Sequence, residues 1–388
     1  METTGVYVHV PFCERVCPYC DFAVVAARTL DPAVERRYVD ALVRELGLRA
    51  GEWPRTLASV YFGGGTPSLL RPESVARVLD RVRECFDGGS ASLEVTLEVN
   101  PSTVERERLP GFWAVGVNRI SLGVQSFDDT VLRRLGRAHK ADEGRESFAA
   151  ARAAGFDNVS LDLIFAAPGQ GRATLEADLN EVERLAPEHL SAYELTVEDG
   201  TPFALARERG QLALPGEDEA VDMIERVAAR LESLGLARYE LSSYGRPGRE
   251  SRHNARYWRR EPVLGVGLGA WSSKRRSSRA PHGAREANHR ALGAYLSAIE
   301  SGCDAIATSE VPDARTARGE VMFLALRTRR GLAAAEFEQE FGRPPRGFQG
   351  EEIEALVAGG LLDESSRGDL CLTRRGRLVA DSVFAELV

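Results

Sequence analysis

Cys13, Cys17 and Cys20 fall within the stretch PFCERVCPYCDF, which holds half of the six cysteines in the chain. Thiolates crowded in this way are candidate metal ligands. Zinc would want four ligands closed into a tetrahedron. His9 is near in sequence but sits on the preceding strand, and no second Cys-x2-Cys or His-x3-His pair follows downstream. A 4Fe–4S cube is the other candidate, and thiolates usually hold it at four corners. Three thiolates would bind three irons and leave the fourth open to a small molecule. Cys85, Cys303 and Cys371 stand singly and are expected to pack as small hydrophobes.

A second group of chemical side chains lies at the ends of strand-like segments. One segment ends in Phe62-Gly63-Gly64-Gly65-Thr66-Pro67, whose glycines let backbone approach a ligand closely. The run fits neither G-x-G-x-x-G nor a P-loop, and a tight turn would also explain it. The next segments end in Glu98-Val99-Asn100-Pro101 and Gln125, carry Asp162, or end near Thr196. If these strands are parallel, their polar ends gather on one side, where ligands bind in such folds.

A third group is HNARYW at 253–258. A histidine among polar and aromatic neighbours is more often a hydrogen-bonded core residue than a ligand. Imidazole nonetheless ligates haem iron, and aromatic rings stack on a porphyrin. The basic run Ser273-Lys274-Arg275-Arg276 reads as a solvated loop or as a partner for acidic groups.

The elements that must position these residues alternate. Strand-like runs occur at 5–10, 57–62, 92–99, 117–124, 158–165 and 190–197, with a candidate seventh at 237–242. Helical patterns are expected at 32–49, 72–86, 141–154, 173–185 and 217–234. The clearest places Val75, Val78, Leu79, Val82 and Phe86 on one stripe, with Pro72 in the first turn. Strand–helix alternation implies a parallel sheet. Six or seven units are too few for an eight-fold barrel, so an α/β partial barrel and a doubly wound sheet both fit the pattern. Residues 243–280 read as loops around a short core. From about 305 the order helix, helix, hairpin, helix suits a small, mainly α, winged-helix-like unit.

The charge balance narrows function. The chain has 388 residues, 28% charged, and a net charge of -8. That argues against a general nucleic-acid binder. Residues 305–388 hold 11 basic and 14 acidic side chains, so the winged unit is a poor phosphate binder. No run of about 18 apolar residues suggests a membrane span, and METTGVYVHVPF lacks the features of a secretory signal. The expected location is the cytoplasm, where thiols stay reduced.

The Cys-x3-Cys-x2-Cys loop, with Tyr19 before the last cysteine, resembles the radical S-adenosylmethionine (SAM) enzymes. GGGTP, LEVNP, SLGVQSF, LRRLGRAH and LDLI follow the order of the coproporphyrinogen-oxidase-like branch. The resemblance implies a partial (β/α)6 barrel over 1–242, a connecting region over 243–304 and a C-terminal domain over 305–388. It implies a 4Fe–4S cluster on Cys13, Cys17 and Cys20, with SAM on the open iron and cleaved to a 5′-deoxyadenosyl radical. It implies SAM contacts from Tyr7, Tyr19, Gly64, Gly65, Thr66, Glu98, Gln125, Arg137, Asp162 and Thr196.

Within that branch the chain is most similar to the HemW-type haem chaperones. HNxxYW is a hallmark of that group. The oxidases carry a fourth cysteine where Phe22 stands here, and an N-terminal extension where only six residues precede Tyr7. The likeness implies haem as cargo, with His253 as a haem contact and the basic run as a partner for propionates. It implies acceptor haemoproteins, respiratory ones among them, and a reductant such as flavodoxin or ferredoxin. Oxygen-independent coproporphyrinogen III oxidation, or another radical SAM reaction, are the alternatives. The chain departs from the family pattern at Trp271, where a histidine is common, at AAPGQG (166–171) and at Ser243.

Overall fold

The computed structural model describes residues 2–88, 93–274 and 276–388; Ser92 of the third expected strand and Arg275 of the basic run lie outside them. Six strands appear in the expected order: β1 (Thr3–Val10), β2 (Thr56–Gly64), β3 (Glu94–Val99), β4 (Arg119–Gln125), β5 (Val159–Phe165) and β6 (His189–Glu194). Each pairs in parallel with the next. The expected helices follow between them, and the stripe Val75, Val78, Leu79 and Val82 of the Pro72–Cys85 helix is buried against the sheet.

The strand sequences explain why this sheet curls into a partial barrel. Residues alternate along each strand, and one set is apolar. Val6, Val8 and Val10, then Val60 and Phe62, Leu97 and Val99, Ile120 and Leu122, Leu161 and Leu190 join the helices in one core. The other set is polar: Ser59 and Tyr61, Thr96 and Glu98, Arg119 and Ser121, Ser160 and Asp162, His189 and Ser191. Period-two side chains point to opposite faces. The helices therefore cover only the apolar face, and the concave face is a polar lumen. A doubly wound sheet needs apolar residues on both faces, which these strands lack.

The seventh parallel strand is not the expected segment 237–242. Only β7 (Ala237–Arg238) forms there, antiparallel to β8 (Ser243–Gly245), which closes on β6. The seventh parallel strand is β9 (Val263–Val266), inside the short core expected among the loops of 243–280, and it pairs with β1. A helix, Arg252–Trp258, precedes it. β10 (Trp271–Lys274), β11 (Ala284–Asn288) and β12 (Ile306–Glu310) extend the sheet in antiparallel fashion, giving the order β12-β11-β10-β9-β1-β2-β3-β4-β5-β6-β8-β7. Gly265 permits this return. A Cβ there would lie 2.1 Å from the Trp271 carbonyl oxygen.

A buried polar knot ties this extension to the first helix, Pro32–Arg49. Arg49, 3% exposed, donates to Glu45, the Gly265 carbonyl, Ser272 and Glu286. Glu45 accepts from the Gly267 amide, Asn288 and Tyr295. The C-terminal unit keeps the expected central hairpin, Leu362–Glu364 with Leu370–Leu372, but has three helices before it, Ala314–Leu326, Ala334–Phe341 and Arg346–Ala358, where two were expected, and two after it, Arg374–Leu378 and Ala380–Leu387, where one was expected. It has its own core around Met322, Leu326, Phe337, Ile353 and Phe384.

Candidate functional site

The three clustered cysteines leave the carboxyl end of β1 in one braced loop. Phe12–Cys13 pairs with Val25–Ala26, so the loop returns beside its own start. His9 anchors it from the barrel: Nε2 lies 2.8 Å from the Ala23 carbonyl and Nδ1 lies 3.1 Å from the Tyr7 hydroxyl. The Phe203 amide donates to the Pro18 carbonyl, and Arg290 donates to the Asp21 carbonyl at 2.7 Å. With both nitrogens engaged, His9 supports the loop and is not a fourth ligand in it. Phe22 points outward and is 63% exposed.

The glycines after β2 serve this same packing. Gly64 has φ of 111°, and a Cβ there would lie 2.5 Å from the His9 ring. A Cβ on Gly65 would lie 2.8 Å from the Pro11 and Phe12 carbonyls. The close approach that the sequence led us to expect toward a ligand is made here by the cysteine loop itself.

All three thiols are free. Among the described residues no group of three or more His, Cys, Asp or Glu side chains is placed to hold a metal ion. Burial pushes the Cys13 thiol up to about 11 and also raises Cys20. Buried thiols of this kind become thiolates when a metal binds them.

A chain of polar side chains links two of the sulfurs. Thr66 Oγ1 donates to Cys13 Sγ at 3.7 Å. Asn100 Nδ2 donates to Thr66 Oγ1 at 2.8 Å. Arg137 donates to Asn100 Oδ1 at 2.6 Å, to the Gly123 carbonyl at 3.0 Å, and to Cys17 Sγ at 3.7 Å. Tyr19 lies against Arg137 and Cys17. Gly136 lets this segment close on the loop, since a Cβ there would lie 2.5 Å from Pro18. Arg137 Nε is buried without a partner.

The lumen below this mouth holds the remaining candidates. Glu98 accepts from the Tyr61 hydroxyl at 2.7 Å and from the Gly64 amide at 3.1 Å. Burial pushes its carboxyl up to about 7. Asp162 accepts from Ser121 and is also raised by burial. Gln125 ends β4 with φ of 65°, a left-handed conformation that costs a non-glycine residue about 1–2 kcal/mol. Tyr7 stacks near Tyr61, with ring centroids 6.2 Å apart. Thr196 lies past the end of β6 and is exposed.

The structure thus gathers Tyr19, Gly64, Gly65, Thr66, Gln125 and Arg137 at the mouth with the cysteines, and Tyr7, Glu98 and Asp162 in the lumen below it. His253 lies deeper in that lumen, its ring stacked on Tyr61 at 5.2 Å and 6.4 Å from Tyr7. Expected as a haem contact, it is fully buried, with Nδ1 2.9 Å from Ser59 Oγ and Nε2 3.2 Å from the Tyr257 hydroxyl. Its amide donates to Glu94. The reason is packing: the Arg252–Trp258 helix lies on β2 and turns the imidazole inward. No ring nitrogen is left for an iron. Asn100, Tyr61 and Ser121 were not singled out as site residues, although the polar/apolar alternation of the strands marks all three as residues of the polar set or its continuation.

The comparisons agree with this architecture. Residues 7–182 match the Radical SAM superfamily, and residues 313–379 match the HemN C-terminal domain. The chain is 35% identical over 380 residues to the heme chaperone HemW of Bacillus subtilis, covering 97% of each. It is 38% identical over 390 residues to the heme chaperone HemW of Mycobacterium tuberculosis, covering 99% of this chain and 94% of that one. In fold it matches the coproporphyrinogen III oxidase HemN from Escherichia coli with a TM-score of 0.83 at 23% identity, over 100% of this chain and 90% of that one.

Proposed function

The chain belongs to the HemW family of radical SAM proteins, and from that premise we propose that it is a haem chaperone that also carries a SAM-ligated 4Fe–4S cluster. Cys13, Cys17 and Cys20 would hold the cube. One observation carries the cofactor half of this reading: three thiols border the mouth of a polar lumen, while His9 is fully engaged and Phe22 is turned outward. The fourth corner is then free for SAM. When bound and reduced, a cube of this type supplies an electron for SAM cleavage.

The residues at the mouth and in the lumen fit the cofactor's groups. Glu98 and Asp162 suit amino and hydroxyl donors, and Arg137, with its buried Nε unpartnered, suits a carboxylate. Gly64, Gly65 and Thr66 offer backbone beside Cys13. Tyr7, Tyr19, Gln125 and Thr196 complete the SAM set. Haem is the cargo, passed in the cytoplasm to acceptor haemoproteins, respiratory ones among them, with flavodoxin or ferredoxin as reductant. The cargo assignment rests on the relatives over nearly the whole chain. Among the described residues no helix is long and apolar enough to cross a membrane.

The test is anaerobic reconstitution followed by two parallel assays. Haem titration is expected to shift the Soret band, and coproporphyrinogen III with SAM and reductant is expected to yield no protoporphyrinogen. Product formation would overturn the chaperone reading in favour of the oxidase. Replacement of any of the three cysteines by alanine is expected to abolish iron and sulfide incorporation. Full incorporation in such a variant would remove that cysteine from the site.

A further inference from the structure

A large cleft lies at the other end of the barrel from the cysteines. Thr3, Leu57 and Ala58, at the starts of β1 and β2, line its floor. Its walls are the Arg252–Trp258 helix, β10 and β11, and the first two helices of the C-terminal unit. Its volume is about 1810 Å³, beyond the roughly 300–1,000 Å³ of ordinary small-molecule pockets. The cysteine loop leaves the opposite end of β1, and at about 3.3 Å per residue the strand sets the two sites roughly 23 Å apart.

The lining suits a flat apolar body with acidic arms. Nine lysines and arginines face six glutamates around the cleft, in a chain whose net charge is -8. Trp258, Trp271 and Phe323 add aromatic surface, and Trp271 is 48% exposed. Two cations are available for an anion. Arg329 makes no side-chain ion pair among the described residues, and Arg259 only approaches Glu261 at 3.9 Å.

One histidine at this cleft keeps a ring nitrogen without a partner among the described residues. His282 lines the cleft. Its ring stacks on Phe341, with centroids 5.2 Å apart. Its Nδ1 lies 3.3 Å from Glu340 Oε1, and Nε2 has no hydrogen-bond partner among the described residues. Glu340 is itself held by Arg260 and Arg276. A carboxylate behind Nδ1 fixes the tautomer that leaves the Nε2 lone pair free, as in metal-ligating histidines. The other histidines do not offer this. His9, His189 and His253 have both nitrogens engaged. His139 is buried on the Val124 carbonyl, and His289 is outside the cleft.

We propose that this cleft seats haem, with His282 Nε2 as an axial ligand of the iron and Arg259 and Arg329 meeting the propionates. The proposal rests on the haem reading above and deepens it: cargo and cofactor occupy opposite ends of one barrel. Trp271 then forms part of the apolar wall while His282 supplies the ligand.

The experiment is a haem titration of the full chain, followed by the Soret band and by electron paramagnetic resonance of the ferric form. The parent protein is expected to bind with a low-spin, histidine-type signature. His282→Ala is expected to lose that signature and to weaken binding about tenfold or more, with iron and sulfide incorporation at the cysteines unchanged. Free imidazole is expected to restore the low-spin spectrum in this variant, which a purely structural role for His282 would not permit. Arg329→Glu is expected to weaken binding while keeping the Soret position. Haem binding by the parent with an unaltered spectrum and affinity in His282→Ala would overturn this site and leave the cargo reading standing. Loss of haem binding in the cysteine variants alone would do the same. Failure of the parent to bind haem would remove both.

Discussion

The guanidinium of Arg137 donates to Asn100 Oδ1 at 2.6 Å, so the residue just after β3 governs two cysteine sulfurs at once. Asn100 holds Thr66, which donates to Cys13, and it holds Arg137, which donates to Cys17. Hydrogen bonds to cluster sulfurs help set a reduction potential. Asn100→Ala is therefore expected to lower the midpoint potential of the reconstituted cluster in a redox titration. It is also expected to destabilise the fold by about 1–3 kcal/mol through unsatisfied buried groups. An unchanged potential would show that neither donor acts on the sulfurs through Asn100.

Burial sets opposed pH limits on stability. Glu98, Glu105 and Asp178 are pushed up to about 7. Such a carboxyl stays protonated in the fold where the unfolded chain is already ionised. Its contribution is complete below the usual carboxylate range and is lost as pH climbs through about 7. His139 and His253, pushed down to about 3 by burial, work the other way and lose stability as pH falls below their usual value. Glu105→Gln removes one falling limb while keeping an acceptor for Ser68. Its stability relative to the parent is expected to rise by about 1.4 kcal/mol for each pH unit between about pH 5 and about pH 7. Denaturant melts across that range check it, and parallel curves would mean that Glu105 is ionised throughout.

His253 is expected to act on the fold and not on haem iron. His253→Ala leaves the Ser59 and Tyr257 hydroxyls facing a cavity, at a cost of about 2–4 kcal/mol. Its haem spectrum should match the parent. A lost axial signature in this variant, with His282→Ala silent, would reverse the two assignments.

Arg49 neutralises two carboxylates where water cannot. Arg49→Met is expected to destabilise by about 3–5 kcal/mol, since it strands buried charge. Because Arg49 also bonds the Gly265 carbonyl and Ser272, local hydrogen exchange in β9 and β10 should rise first. Uniform exchange across the barrel would argue against a local role.

Much of this molecule was legible because it is written in short spacings. The cysteine loop needs only three thiols within one turn of chain. The Pro72–Cys85 helix needs only a 3.6-residue stripe. The polar lumen was legible too, in strands such as GVYVHV and NVSLDLIF. The period-two alternation of those strands separates a helix-covered face from an open one. The short core around VLGV was legible but not its place in the sheet, because it lies in a glycine- and arginine-rich stretch and its partner β1 is more than 250 residues away.

What the sequence determined by itself was the chemistry available: three sulfurs at one loop, polar strand ends on one side, and the family to which such motifs belong. Only the tertiary structure decided which groups are free to act. His253 and His282 are the same side chain, yet Ser59 and Tyr257 occupy both nitrogens of the first, and Glu340, 58 residues along the chain, orients the second. Spacing along a chain is covalent and can be read directly. The engagement of a lone pair depends on which distant surfaces pack together, and that is settled only when the apolar faces are buried.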